Sequence, residues 1–142
     1  MLNDSDLKSR LGRADLLVAD LGQALKRLQE ALLKPGDDFI RDAAIKRFEF
    51  CFELAWKSIQ AVARLEGQDC ATPRAAFSLA WQARWLEDEG LWLDMLDARN
   101  KTTHTYREAT AKEVFSSIPR FLPALDSLLQ MLQLRIKGMI RP

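Results

Sequence analysis

"RFEFCFELAWKSIQ", residues 47–60, decides the fold. Wound as a helix between Ile45 and Val62, it places Phe48, Phe52, Ala55, Trp56 and Ile59 on one broad face, with Cys51 and Leu54 beside it. Its polar side chains, Lys46, Glu49, Glu53, Lys57, Gln60 and Arg64, are confined to a single stripe. A helix that is apolar round most of its circumference must be covered on several sides, which makes it the central member of a bundle. Glu49 and Glu53 read as part of a solvated stripe, with Glu53 and Lys57 forming an i,i+4 pair. Phe50 falls near that stripe and points to a contact with another subunit.

The flanking segments supply the cover. Leu7, Leu11, Ala14, Val18, Leu21, Leu25, Leu28 and Leu32 recur at alternating four- and three-residue steps, a heptad seam for a neighbouring helix. "KPGDD" (34–38) ends that helix, and Asp37 or Asp38 caps the central one, which runs to about Glu66 with Gly67 as its stop. "ATPRAAF" (71–77) opens a third helix with Thr72 as N-cap and Pro73 in the first position. Its expected core face is Phe77, Ala80, Trp81 and Trp85 or Leu86, and "EDEG" (87–90) breaks it. A fourth helix from about Glu89 turns Trp92, Met95 and Leu96 inward. Thr110 and Glu113 form a capping box that starts a fifth, running to about Lys137, with a kink or break expected at Pro119 and Pro123. No strand-like alternation, phosphate-binding glycine loop or internal repeat interrupts the pattern. The expected fold is therefore all-α, an antiparallel bundle of four to five helices in one domain spanning residues 1–142.

Bulk composition narrows the function. A chain of 142 residues that is 48% hydrophobic and 29% charged can bury a core of its own. Its 21 basic and 20 acidic residues leave a net charge of +1, so any contact with nucleic acid must come from a local cluster. No apolar run reaches the ~20 residues of a membrane span, and the first residues lack the layout of a secretory signal. Two isolated cysteines and one histidine do not make a zinc site. The expectation is a cytoplasmic protein without metal or cofactor.

One segment does hold a cluster. "DARNKTTHTYRE" (97–108) contains the chain's single histidine and single tyrosine, with Arg99 and Asn100 just before them. Two readings are open. In the first, Arg99, Lys101 and His104 decorate the negative end of the fourth helix, and Thr102, Thr103 and Thr105 satisfy its frayed backbone. In the second, arginine grips a phosphate through paired N–H bonds and histidine moves a proton near neutral pH, which together suit phosphodiester cleavage by an adjacent 2′-hydroxyl. In a regular helix Arg99 and His104 would stand ~7.5 Å apart along the axis and ~140° apart round it. The second reading therefore requires the helix to loosen between them. That cleavage needs both an acid and a base, so one histidine serves both steps or a symmetric dimer supplies the second.

"RFEFCFELAWKSIQ", "TPRAAF" and "WLDMLDARNKTTHTYRE", in that order and spacing, resemble the nucleotidyltransferase substrate-binding family of the HEPN superfamily, over about Ala43 to Ile118. "RNKTTHTY" is similar to that family's Arg-x4-His-x-Tyr pattern with Asn after the Arg. The resemblance implies a HEPN-like bundle that forms a homodimer, with both Arg-x4-His segments lining a shared cleft. It implies a partner, a minimal nucleotidyltransferase (MNT) acting as antitoxin, and an RNA substrate for a metal-independent ribonuclease toxin. By position, Arg99 would bind the phosphate, His104 would act as general acid or base, Asn100 would orient the scissile group, and Tyr106 would accept AMP from the partner. The family's name carries a second implication, a non-catalytic subunit that presents a substrate to the nucleotidyltransferase. At Arg84 and Trp85 the sequence departs from the family, which often has glycine and an aliphatic residue there.

Overall fold

The computed structural model describes residues 3–140, and among these no strand occurs. Five helices follow one another: α1 (Asp4–Leu32), α2 (Asp38–Leu65), α3 (Pro73–Gln82), α4 (Glu89–Lys101) and α5 (Glu108–Ile140), with a 3-10 turn, Thr102–His104, between the last two. Four helix starts are set by a side-chain oxygen taking up an otherwise free backbone N–H. Asn3 accepts from Asp6, Asp37 from Ile40, Thr72 from Ala75 and Asp88 from Leu91.

Contacts along the helices give their directions. Arg47 near the start of α2 donates to the Arg27 carbonyl near the end of α1 at 2.7 Å, so these two are antiparallel. α2 and α5 run in the same direction: Arg41 meets Glu108 at their first turns, Phe48 stacks on Phe121 further along, and Glu66 pairs with Arg135 near their ends. The short helices make that parallel pairing possible. α3 packs against α2, with Phe77 edge-on to Phe52 at 5.6 Å, and α4 runs back along α5, with Asp94 meeting Arg120 and Lys101 meeting Glu113.

α2 is the central helix. Ala44, Phe48, Cys51, Phe52, Ala55, Ile59 and Val62 are all fully buried. Burial without a charge partner pushes the Cys51 thiol up to about 12. The heptad seam of α1 is buried from Ala14 to Leu28, whereas Leu7 is exposed.

Three local expectations are corrected. α5 begins at Glu108, not at the Thr110 capping box, because the Ala111 N–H already bonds the Arg107 carbonyl and Thr110 lies within the first turn. α5 also runs unbroken through Pro119 and Pro123. Each proline removes an N–H, at ~3 kcal/mol in a helix interior. The stripe Val114, Ile118, Phe121, Leu125, Leu128 and Leu132, none more than 1% exposed, holds the helix together across both. Finally, Trp81 is 42% exposed, and the core beyond Ala80 is filled by Trp85 and Leu86 from the loop after α3.

Candidate functional site

Arg99 inherits its direction from the apolar face of α4. It lies seven residues after Trp92 and four after Met95, both buried, so it continues the inward stripe past the point where the core ends. There it meets α2. Its guanidinium carbon lies 4.8 Å from the ring centroid of buried Phe52. Its Nε and Nη2 donate to one oxygen of Glu53 at 3.1 and 2.8 Å, and Nη1 donates to Asn100 Oδ1 at 3.1 Å. The other Glu53 oxygen accepts from Trp56 Nε1 at 3.0 Å. Glu53 is thus held on two sides and fixes the Nε–Nη2 edge of the guanidinium, which keeps two N–H donors to spare, one on each terminal nitrogen.

This corrects the reading of Glu53 as a solvated side chain paired with Lys57: its partners are Arg99 and Trp56. Nothing local in the sequence announces this, since Glu53 and Arg99 are 46 positions apart.

After Lys101 the α-helix gives way to the 3-10 turn Thr102–His104, so the helix does loosen between Arg99 and His104. Threonines hold it in shape. Thr102 Oγ1 donates to the Arg99 carbonyl at 2.6 Å, Thr103 Oγ1 to the Asn100 carbonyl at 3.1 Å, and Thr105 Oγ1 to the Thr102 carbonyl at 3.1 Å. These bonds are the ones foreseen for a frayed helix end. The Arg107 N–H then bonds the His104 carbonyl, and this turn leads into α5.

The four residues singled out in the sequence form two pairs. Arg99 and Asn100 are one, and His104 and Tyr106 are the other, with Nδ1 and Oη 3.1 Å apart. The pairs are joined through the threonine-braced backbone; among the described residues no side-chain hydrogen bond runs between them. His104 is exposed, and Tyr106 is 74% exposed, open enough to receive a bulky group. Arg107, which the sequence did not single out, places its guanidinium 5.5 Å from the Tyr106 ring centroid. Lys101 lies between Glu113 at 2.7 Å and Asp97 at 3.2 Å, and hydrogen bonds to these two carboxylates, Glu113 first, raise its pKa. Lys101 faces two carboxylates, whereas Arg99 faces one and keeps two of its five N–H donors unused.

No group of three or more His, Cys, Asp or Glu side chains able to hold a metal ion occurs among the described residues. No described helix is long and apolar enough to cross a membrane.

The family described as nucleotidyltransferase substrate binding protein like matches residues 16–134, which takes in most of α1 and of α5 as well as the three sequence blocks. A Thermus thermophilus protein of known structure is 38% identical, over 82% of this chain and 98% of its own, with a TM-score of 0.68. A Haemophilus influenzae protein, whose structure reveals the fold of a substrate binding domain of a nucleotidyltransferase, is 25% identical over 87% and 98% of the two chains (TM-score 0.64). The tri-AMPylated Shewanella oneidensis HEPN toxin, solved in complex with its MNT antitoxin, shares the helical fold at 17% identity over 93% and 98% of the two chains, with a TM-score of 0.69. Among curated protein sequences none matches.

Proposed function

The chain belongs to the nucleotidyltransferase substrate-binding protein-like family, and from that premise we propose that it is the ribonuclease toxin of a HEPN/MNT pair. The observation that carries this reading is the braced guanidinium of Arg99, one edge fixed by Glu53 and its plane set over the Phe52 ring, at the head of a turn that presents an exposed His104. A surface arginine that only decorates a helix end has no need of three separate constraints. One that must hold a phosphate in a single geometry does.

In this reading the two unused N–H donors of Arg99 take a non-bridging oxygen of the scissile phosphate, and Asn100 orients the group. The RNA 2′-hydroxyl loses its proton and bonds to phosphorus. The bond to the 5′-oxygen breaks, and that oxygen receives a proton. The products are a 2′,3′-cyclic phosphate and a 5′-hydroxyl, with no metal in any step. His104 acts as acid or base, and a homodimer supplies the second imidazole. The partner, a minimal nucleotidyltransferase, silences the site by moving AMP from a nucleoside triphosphate to Tyr106. Oη bonds to the α-phosphorus, pyrophosphate leaves and the phenolic proton is released. The exposure of Tyr106 supports that role.

A second reading is a non-catalytic subunit that presents a substrate to the nucleotidyltransferase, favoured by the family description itself. Expression of the chain alone separates the two. The toxin reading expects growth arrest that His104→Ala relieves with the helical content unchanged, and a His104→Ala protein that stays toxic would rule out the catalytic histidine. The subunit reading expects no arrest, and a complex with the nucleotidyltransferase that survives loss of both Arg99 and His104.

A further inference from the structure

We propose that Tyr106 is a positioning residue for His104, and that the proton its hydroxyl gives to Nδ1 is what AMP transfer removes. The inference rests on the reading of His104 as the group that moves the proton. It adds to that reading a direct physical link between the catalytic ring and the modified side chain.

The geometry makes the link. Tyr106 Oη and His104 Nδ1 are 3.1 Å apart, and the two rings meet edge to face, at 80° with centroids 5.8 Å apart. Arg107 stacks against the tyrosine ring at 5.5 Å, and its N–H closes the backbone turn onto the His104 carbonyl at 3.1 Å. The tyrosine is therefore held from its own neighbour while it holds the imidazole.

A neutral imidazole has one protonated nitrogen and one bare one, and its partner decides which. A phenol is a good donor and a poor acceptor, because its oxygen lone pair is delocalised into the ring. A bare imidazole nitrogen is a strong acceptor. The favoured bond therefore runs from Oη–H to Nδ1, which leaves the ring proton on Nε2. His104 then presents an N–H from the nitrogen away from Tyr106. As that proton passes to the departing 5′-oxygen the Oη proton passes to Nδ1, so the ring stays neutral, and the phenolate left beside Arg107 regains its proton from solvent.

AMP transfer inverts this. Once Oη is esterified its hydrogen has been replaced by phosphorus, so it has nothing to donate. Nδ1 loses its partner, and the ring is free to turn and to exchange tautomers. The new phosphodiester carries a negative charge that the adjacent Arg107 is placed to pair. On this account modification disarms the imidazole itself, and does so even where the adenylate leaves room for RNA.

Because the chain has one histidine and one tyrosine, the imidazole nitrogens give unambiguous signals in 15N NMR. The experiment compares the wild type with Tyr106→Phe on the alkaline plateau of a pH series, where the nitrogen shifts no longer change. In wild type Nδ1 is expected to resonate as a hydrogen-bonded acceptor and Nε2 as N–H; in Tyr106→Phe the Nδ1 signal moves toward that of an unbonded lone pair. In RNA cleavage, Tyr106→Phe is expected to lower kcat about fivefold, the scale of one neutral hydrogen bond, with KM unchanged. Identical nitrogen shifts in the two proteins, Nδ1 protonated in wild type, or an unchanged kcat would each overturn the proposal. A wild type that shows the bonded ring yet cuts no RNA overturns the ribonuclease reading, and with it the use assigned to the bond.

Discussion

Glu53 shows how one residue can be visible in a sequence and still be misread. Its charge and its place on the polar stripe of α2 are plain, but the i,i+4 rule looks only along the helix and so selects Lys57. The partner it takes, Arg99, depends on the register between α2 and α4, which is set by how Phe52, Phe77 and Trp92 pack together. Arg99, Asn100, His104 and Tyr106 were legible because they lie close together in sequence. In the proposed mechanism, Glu53→Gln should cut kcat about tenfold, or ~1.4 kcal/mol of transition-state stabilisation, without raising KM. The pair is a third exposed, so thermal stability should change by less than ~1 kcal/mol. A large loss of stability with normal kcat would make Glu53 structural only. Cys51 offers a test of the core at the same scale. Its folded pKa lies above the ordinary thiol value, at about 12 against 9.0, because burial disfavours the thiolate. The native state therefore keeps its proton longer than the unfolded chain. The stability this contributes is complete below pH 9.0 and is lost as pH rises toward about 12. Cys51→Ala should show a smaller fall in unfolding free energy across that window, by denaturant titration at both ends. An equal fall in both proteins would contradict the burial.

Helix ends were easier to read than helix interiors. α2 closes with Gly67 at φ +80°, its N–H on the Arg64 carbonyl and the Gln68 N–H on the Ala63 carbonyl, as the sequence indicated. α3 closes with the same pair of bonds, Arg84 to Trp81 and Trp85 to Ala80, yet the left-handed position at φ 65° is filled by an arginine. Glycine is the residue that takes this conformation without strain, so the turn forms here in spite of the residue that fills it. Trp85 and Leu86 follow it into the core, which offsets the strain. Arg84→Gly should accordingly stabilise the protein by up to ~1 kcal/mol, read as a higher Tm. A lower Tm would mean that the arginine side chain contributes more than its backbone costs. The prolines of α5 were misjudged for the opposite reason. A local rule predicts a break, and only the continuous buried face of that helix, seen once the chain is folded, overrides it.

At the scale of the whole molecule, the all-α architecture was readable because α2 is apolar almost all round and cannot be left uncovered. The parallel course of α2 and α5 was not, since helix direction depends on how the short α3–α4 connection is routed. The outer face of α1 and α2 is where the proposed homodimer would form. Phe50 is half exposed beside Leu54 and Ala24, on a cavity of about 250 Å³ bordered by Arg27 and Arg47. Phe50→Asp should shift the protein from dimer to monomer by light scattering, and a wild type that is monomeric at micromolar concentration would remove the shared cleft. The central claim is that Arg99 and His104 together cut RNA, and it is tested most directly by incubating purified wild type and His104→Ala with a defined RNA in chelator and analysing the product ends. Cutting by the wild type alone is expected, leaving 2′,3′-cyclic phosphate and 5′-hydroxyl ends. Intact RNA with both proteins, or equal cutting by both, would contradict it.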